Sequence, residues 1–274
     1  MMDSDQLDSG APDPLTAGGV PSLAGLREAD DGTVVAILPR ANVVKIGAQS
    51  LIDRGRSAVF PVIEELGANA PEHQLIIGVG AGTRARHAYD LGSRLGLPTG
   101  LLATLGSGVS EQNAMMIAAL MARYDAVRLG KSEFSQLPMC LAAGSPVVVT
   151  GSPPFRWWEP PPSVGRLPEY RTDSGVWLIA EAFGARSMIY LKDENGLYTD
   201  DPKKNPEATF IPRIGVAELI ERDFDELVIE RQVLEMMLLA RSAREIQIIN
   251  ALVPGNITRA LAGEHVGTII TADE

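Results

Sequence analysis

The residues of this chain that could do chemistry on an anion fall into three separated groups. The first is Lys45 with Gly47, in the stretch VVKIGAQS. A lysine leaving an apolar strand points out of the carboxyl end of a sheet, where open α/β folds bind ligands, and a glycine two positions on lets a phosphate approach the backbone. The second is GVGAGTRAR, Gly78 to Arg86, in which three alternating glycines run into two arginines at the start of a helical pattern. Backbone N–H groups at such a turn, with the positive end of a helix behind them, form a nest for an oxyanion. Gly80, Gly82 and Arg84 are its candidate contacts. The third is KDENGLYTDDPKK, Lys192 to Lys204. Asn195-Gly196 signals a turn, but a turn alone does not call for Asp193, Tyr198, Asp201, Pro202 and Lys204 together. A nucleotide does: a ring for the base, carboxylates for ribose or metal, a lysine for phosphate.

Two better-known phosphate motifs are excluded by spacing. The third glycine of GVGAG comes one position early for a dinucleotide fingerprint, and no acidic residue follows about twenty positions later to hold a ribose. Gly130-Lys131-Ser132 has the ending of a phosphate loop, but Asp125 stands where that loop requires its first glycine.

The elements that must position these groups follow from hydrophobic periodicity. VVKI, QLIIGV, PVVVT, SMIYLK and EIQIIN read as strands. SLIDRGRSAVFPVIEELG, TRARHAYDLGSRLG, SEQNAMMIAALMARY, SGVWLIAEAFGA and QVLEMMLLARSA read as helices. Near-continuous apolar strands between amphipathic helices imply a largely parallel sheet covered on both faces, and so an α/β, three-layer α/β/α sandwich. Residues 33–274 form that domain in this reading. Residues 1–32 carry seven acidic residues against Arg27 alone, with glycines and prolines between them, and read as a flexible acidic arm. The segment GSPPFRWWEPPPSVGRLPEYR holds six prolines and two of the three tryptophans, which excludes helix and central strand and points to a lid or an interface.

The 274-residue chain has a formal net charge of -11, which argues against a general nucleic-acid or anionic-membrane binder, so any anion must be held by a local site. One cysteine, Cys140, and three scattered histidines fit a reducing cytoplasm and not a zinc site. No basic-then-apolar leader and no apolar run of bilayer length is present, so a soluble, cytoplasmic chain is expected.

Taken with YRTDSGVWLIAEAFGA and the ending LVPGNITRALAGEHVGTII, the three groups resemble the amino acid kinase superfamily, and within it the uridylate kinase branch. The resemblance runs from about Thr33 to Ile270. It implies an ATP-binding sandwich in which the glycine loop holds the phosphoryl acceptor and the later loop holds ATP with Mg²⁺. Under it Lys45 contacts the transferred phosphate as the catalytic lysine and Arg84 anchors the acceptor side. Asp193 and Asp201 reach metal water or ribose, Tyr198 adjoins adenine, and Lys204 neutralises phosphate. The chain departs from uridylate kinases where Gly47 is followed by Ala48, Gln49 and Ser50, where the nucleotide loop begins at Lys192 in place of a threonine, and where TLGSGVSEQNAMM replaces the acceptor signature.

IGAQSLIDRGRSAV, GVGAGTRARHAYDLGSRLGLPTG, RTDSGVWLIAEAFGA, DENGLYTDDPKKNPEATFIPRI and ALVPGNITRALAGEHVGTIITA are also similar to the molybdenum storage proteins, most of all their beta-type chains. That resemblance implies a cage-like hexamer with a homologous alpha-type subunit, or a homo-hexamer, that uses ATP to load molybdate or tungstate as polynuclear oxide clusters. Lys131, Gln136 and Arg156 are the candidates for lining the oxyanion cargo. Alpha-type relatives carry a histidine cluster where this chain reads Phe155, Arg156, Trp157, Trp158, and an acidic residue where it has Lys192. ATP hydrolysis by this chain alone therefore stays open. Beside the storage reading stand two others, a nucleoside monophosphate kinase and a paralogue that binds nucleotide without turnover.

Overall fold

The computed structural model describes residues 35–154, 167–224 and 227–272. The chain partitions into Met1–Val35 and Ala36–Glu274, and every element below belongs to the second unit. The acidic arm expected over residues 1–32 lies outside the described residues, as do Arg156 and its aromatic neighbours.

Five strands form the parallel centre of the sheet: β1 (Ala41–Ile46), β2 (Gln74–Val79), β4 (Val147–Thr150), β5 (Ser187–Lys192) and β9 (Glu245–Asn250). With β3 (Val127–Leu129), β8 (Arg213–Gly215) and β10 (Thr268–Thr271) they make an eight-stranded sheet of order β3-β4-β2-β1-β5-β9-β10-β8. Only the β9–β10 pairing is antiparallel. A two-stranded ribbon, β6 (Leu197–Tyr198) with β7 (Phe210–Ile211), stands apart.

The central strands are buried on both faces, as their largely apolar runs require. Alternate residues of β1 enter opposite cores. Ala41 and Val43 pack with α4 (Leu137–Ala142), α5 (Thr172–Phe183), α6 (Val216–Arg222) and α7 (Arg231–Met237). Val44 and Ile46 pack with α1 (Arg56–Asn69), α3 (Thr99–Leu120) and α8 (Asn256–Leu261). Helix α2 (Thr83–Arg94) lies against α3. The result is the three-layer α/β/α sandwich expected.

Helix boundaries differ from the periodicity reading in several places, and α7 ends at Met237, six residues before the reading placed its end at Ala243. α1 begins at Arg56 because the preceding SLIDRG forms a 3-10 turn, Ile52–Arg54, that ends at Gly55 with φ 78°. α3 begins at Thr99, eleven residues before the reading placed it at Ser110. Gly100, Gly106 and Gly108 hide its first half, since each disfavours helix by about 1 kcal/mol. Packing reverses that preference: a Cβ on Gly106 would collide with the Tyr89 hydroxyl of α2, so glycine lets the two helices close. Among the described residues no helix is long and apolar enough to cross a membrane.

β1 is flanked by β2 on one side and β5 on the other, so the loops leaving their carboxyl ends diverge and open a crevice. That switch point is where parallel sheets place their ligands.

Candidate functional site

A cleft of about 580 Å³ opens at this switch point. Its floor is built from strand ends. Lys45, the fifth residue of β1, is 4% exposed, and its Nζ lies 2.5 Å from Asp173 Oδ1. Lys192, the last residue of β5, approaches the other oxygen of the same carboxylate at 3.3 Å. Asp173 sits in the first turn of α5, a position that favours a negative charge. Three segments remote in sequence thus place two ammonium groups on one buried carboxylate.

Electrostatics follow from that arrangement. Burial works to raise the Asp173 pKa, but the Lys192 and Lys45 charges outweigh it and hold the carboxyl far below the usual range. Burial draws Lys192 the other way, down to about 8, with Asp173 opposing the shift and Lys45 adding to it. The floor holds two ammonium groups whose donors are already desolvated, which is what a phosphoryl group in transfer requires.

Asp173 is held in place by Glu230. This buried carboxylate accepts hydrogen bonds from the backbone N–H groups of Arg171 (2.9 Å), Asp173 (3.0 Å) and Ser174 (3.1 Å) and from the Ser174 hydroxyl (2.6 Å). In return the Glu230 N–H donates to Asp173 Oδ2 at 3.3 Å. The first turn of α5 has no side-chain cap of its own, so Glu230 supplies one from 57 residues away.

The wall towards β2 is the glycine loop. Gly80, Ala81 and Gly82 line the cleft, and Gly82 adopts φ 73°, a left-handed conformation suited to glycine. A Cβ on Gly80 would lie 2.9 Å from the Ala48 nitrogen, so the loop and the turn after β1 approach too closely for a side chain. Gly47 is equally tight, with its N–H donating to the Leu191 carbonyl at 3.2 Å.

The opposite wall is the loop after β5. Asp193, Tyr198, Asp201 and Pro202 line the cleft with Glu194, Asp200 and Lys203. Tyr198 packs edge-on against Phe210, ring centroids 5.4 Å apart, which makes an aromatic wall for a base. The Asp193 carboxylate joins both sides of the mouth: Arg54 reaches it at 2.8 Å and Lys203 at 3.1 Å. Partial burial tends to raise its pKa, yet hydrogen bonds from Lys203 and Ser50 lower it on balance.

The cleft therefore brings together Lys45, Gly47, Gly80, Gly82, Asp193, Tyr198, Asp201 and Pro202. It does not take Arg84. That guanidinium turns towards α3, donating to Gln112 at 3.0 Å and to Asn113. Arg86 lines the cleft instead, because two residues along a helix rotate the side chain by about 200°. Lys203 likewise stands at the cleft where Lys204 was expected; Lys204 pairs with Asp201 at 3.3 Å. Lys131 donates to the Ser107 hydroxyl (3.2 Å) and to the Pro153 carbonyl (2.5 Å), and Gln136 is exposed; neither lines the cleft. Arg156 lies outside the described residues. Asp173 and Glu230 escaped sequence reasoning, although Asp173 lies inside the RTDSGVW motif and Lys192 had been noted only as a departure. An acidic residue opening an apolar helix was the available signal; nothing in the sequence links it to Glu230.

Residues 40–250 match the amino acid kinase family. The chain is 52% identical to the molybdenum storage protein subunit beta of Azotobacter vinelandii over 236 residues, 86% of this chain and 87% of that one. It is 35% identical to the uridylate kinase of Thermofilum pendens over 73% of this chain and 81% of that one. Among solved structures, the UMP kinase from Bacillus anthracis superposes with a TM-score of 0.66 at 19% identity, covering 86% of this chain and 98% of that one. The uridylate kinase from Archaeoglobus fulgidus gives 0.65 at 22%, covering 84% and 100%. The sheet order, the cleft at its switch point and these matches together establish that the chain belongs to the amino acid kinase family.

Proposed function

We propose that this chain is the ATP-binding subunit of a storage assembly that takes up molybdate or tungstate and holds it as polynuclear oxide clusters. The observation that carries the reading is the pair of buried ammonium groups, Lys45 and Lys192, fixed on Asp173 at the floor of the cleft. Such a floor receives the terminal phosphates of a nucleotide, and the 52% identity to a molybdenum storage subunit makes a metal oxyanion the natural second substrate. The tight fit of glycines around Gly47 and Gly80 supports the same conclusion, because a side chain at either place would collide with the walls an anion must approach.

In this reading the base lies by Tyr198 and the ribose by Asp201 and Pro202, with Lys45, Lys192 and Lys203 on the phosphates. The glycine loop and Arg86 face the oxyanion, whose tetrahedral shape and double negative charge match those of a phosphoryl acceptor. Mg²⁺, when bound with the nucleotide, would neutralise phosphate charge. Asp193 and Asp201 are the carboxylates at the mouth that fit its water shell, exchanging Lys203 and Lys204 for it. Lys131, Gln136 and Arg156 are candidates for a surface facing the stored clusters. The assembly proposed is a hexamer, with an alpha-type homologue or of this chain alone, in a reducing cytoplasm suited to the free Cys140.

The experiment is uptake. Protein incubated with ATP, Mg²⁺ and molybdate, then desalted, is expected to retain many molybdenum atoms per assembly, alone or with an alpha-type partner. The uridylate kinase relatives favour one rival, phosphorylation of UMP. Rapid ADP formation on adding UMP, with no metal retained in either preparation, would overturn the storage reading.

A further inference from the structure

The polar face of α3 is buried against the ends of the strands. Ser107, Ser110 and Asn113 follow one another at helical spacing and are each at most 1% exposed, which is unusual for a helix face packed on a sheet. The Ser110 hydroxyl donates to the Val79 carbonyl at 2.7 Å and meets the Thr150 hydroxyl at 2.8 Å, tying β2 to β4. Asn113 acts one step further on. Its Nδ2 donates to the carbonyls of Gly80 (2.8 Å) and Ala81 (3.1 Å), and its Oδ1 accepts from Arg84. With Oδ1 engaged by a guanidinium, which can only donate, the amide nitrogen must be the group that faces the loop.

We propose that Asn113, oriented by Arg84, is the positioning residue that turns the Ala81 and Gly82 N–H groups into the cleft as the donor pair for the oxyanion. In a trans peptide the carbonyl of one residue and the N–H of the next point in opposite directions. Drawing the carbonyls of Gly80 and Ala81 back onto Asn113 therefore drives the N–H groups of Ala81 and Gly82 the other way, and all three residues line the cleft. No described residue accepts from either N–H. The inference rests on the storage reading for the identity of the anion and deepens it. It also explains why Arg84, next to the glycine loop, bonds to α3 and leaves the cleft to Arg86.

The test uses Asn113→Asp, which keeps the shape and the acceptor for Arg84 but removes both donors, and Arg84→Met, which removes the group that orients the amide. Molybdate affinity is measured calorimetrically in the presence of a non-hydrolysable ATP analogue, beside the affinity for the analogue alone. Asn113→Asp is expected to weaken molybdate by at least about tenfold, and Arg84→Met by about threefold or more, with analogue affinity held within about twofold. Ser110→Ala, which also loses a buried hydrogen bond, is expected to lower the melting temperature yet leave molybdate affinity unchanged. Equal molybdate affinity in wild type and Asn113→Asp overturns the proposal, as does a matching loss in Ser110→Ala. A crystal structure of Asn113→Asp supplies an arm that needs no anion: reorientation of the Gly80 and Ala81 peptides supports the proposal, and an unchanged loop refutes it. Absence of any wild-type affinity for molybdate or tungstate would instead count against the storage reading, and the crystal structure would then decide the role of Asn113 alone.

Discussion

Lys192 is the residue whose charge is most sensitive to conditions. Its pKa falls to about 8 chiefly because burial disfavours the ammonium, whereas an exposed lysine titrates well above physiological pH. The sign for ligand binding follows directly. Below about 8 the ammonium is present and attracts phosphate; as pH rises through that value the charge, and the attraction, are lost. Charge-assisted hydrogen bonds contribute about 1.5–3 kcal/mol. Lys192→Met is therefore expected to weaken ATP binding by about ten- to a hundredfold near neutral pH. Titration calorimetry between about pH 7.5 and 9.5, where the terminal phosphate is already ionised, should show the wild type losing affinity and the variant nearly flat. Parallel profiles for the two proteins would mean that Lys192 does not touch the nucleotide.

At the scale of elements, the site depends on α5 being capped from outside. Glu230 satisfies three backbone N–H groups at the start of that helix and enters it from the segment just before α7. Removing the carboxylate leaves buried donors unpaired and unsettles Asp173, which carries both lysines. Glu230→Gln is expected to cost about 2–4 kcal/mol in urea denaturation and to weaken ATP binding as well. A loss of stability with ATP affinity intact would show that Asp173 is held by the lysines alone. The periodicity of α5 was legible because apolar residues dominate one stripe. The first half of α3 was not, because its glycines serve packing against Tyr89 and have no periodic signature of their own.

The described residues expose several large apolar side chains. Leu91 and Leu95, one turn apart on α2 and just beyond it, are 52% and 68% exposed, and Met115 and Met116 of α3 are also exposed. Large apolar side chains exposed on two packed helices are the surface offered for an interface between subunits. Light scattering is expected to give a hexameric mass, and Leu91→Glu combined with Leu95→Glu is expected to reduce it while ATP binding persists. A wild-type monomer at micromolar concentration would remove the cage from the functional reading. An unchanged mass in the double variant would place the interface elsewhere.

The sequence by itself determined the five central strands of the sheet and the loops that surround the cleft. QLIIGV, SMIYLK and EIQIIN span the same residues as β2, β5 and β9, because short runs dominated by apolar, aromatic and β-branched residues settle best in a strand buried on both faces. The glycine loop and the nucleotide loop were equally legible, since their unusual backbones demand particular residues. Which side chains face the ligand was decided only in three dimensions. Arg86 displaces Arg84 because the point at which α2 begins sets the direction of every residue on it, and Asn113 then claims Arg84. Asp173 joins Lys45 and Lys192 because α5 begins beside the ends of β1 and β5. A one-dimensional pattern records the period of an element; the angle at which a side chain leaves it depends on what the element packs against.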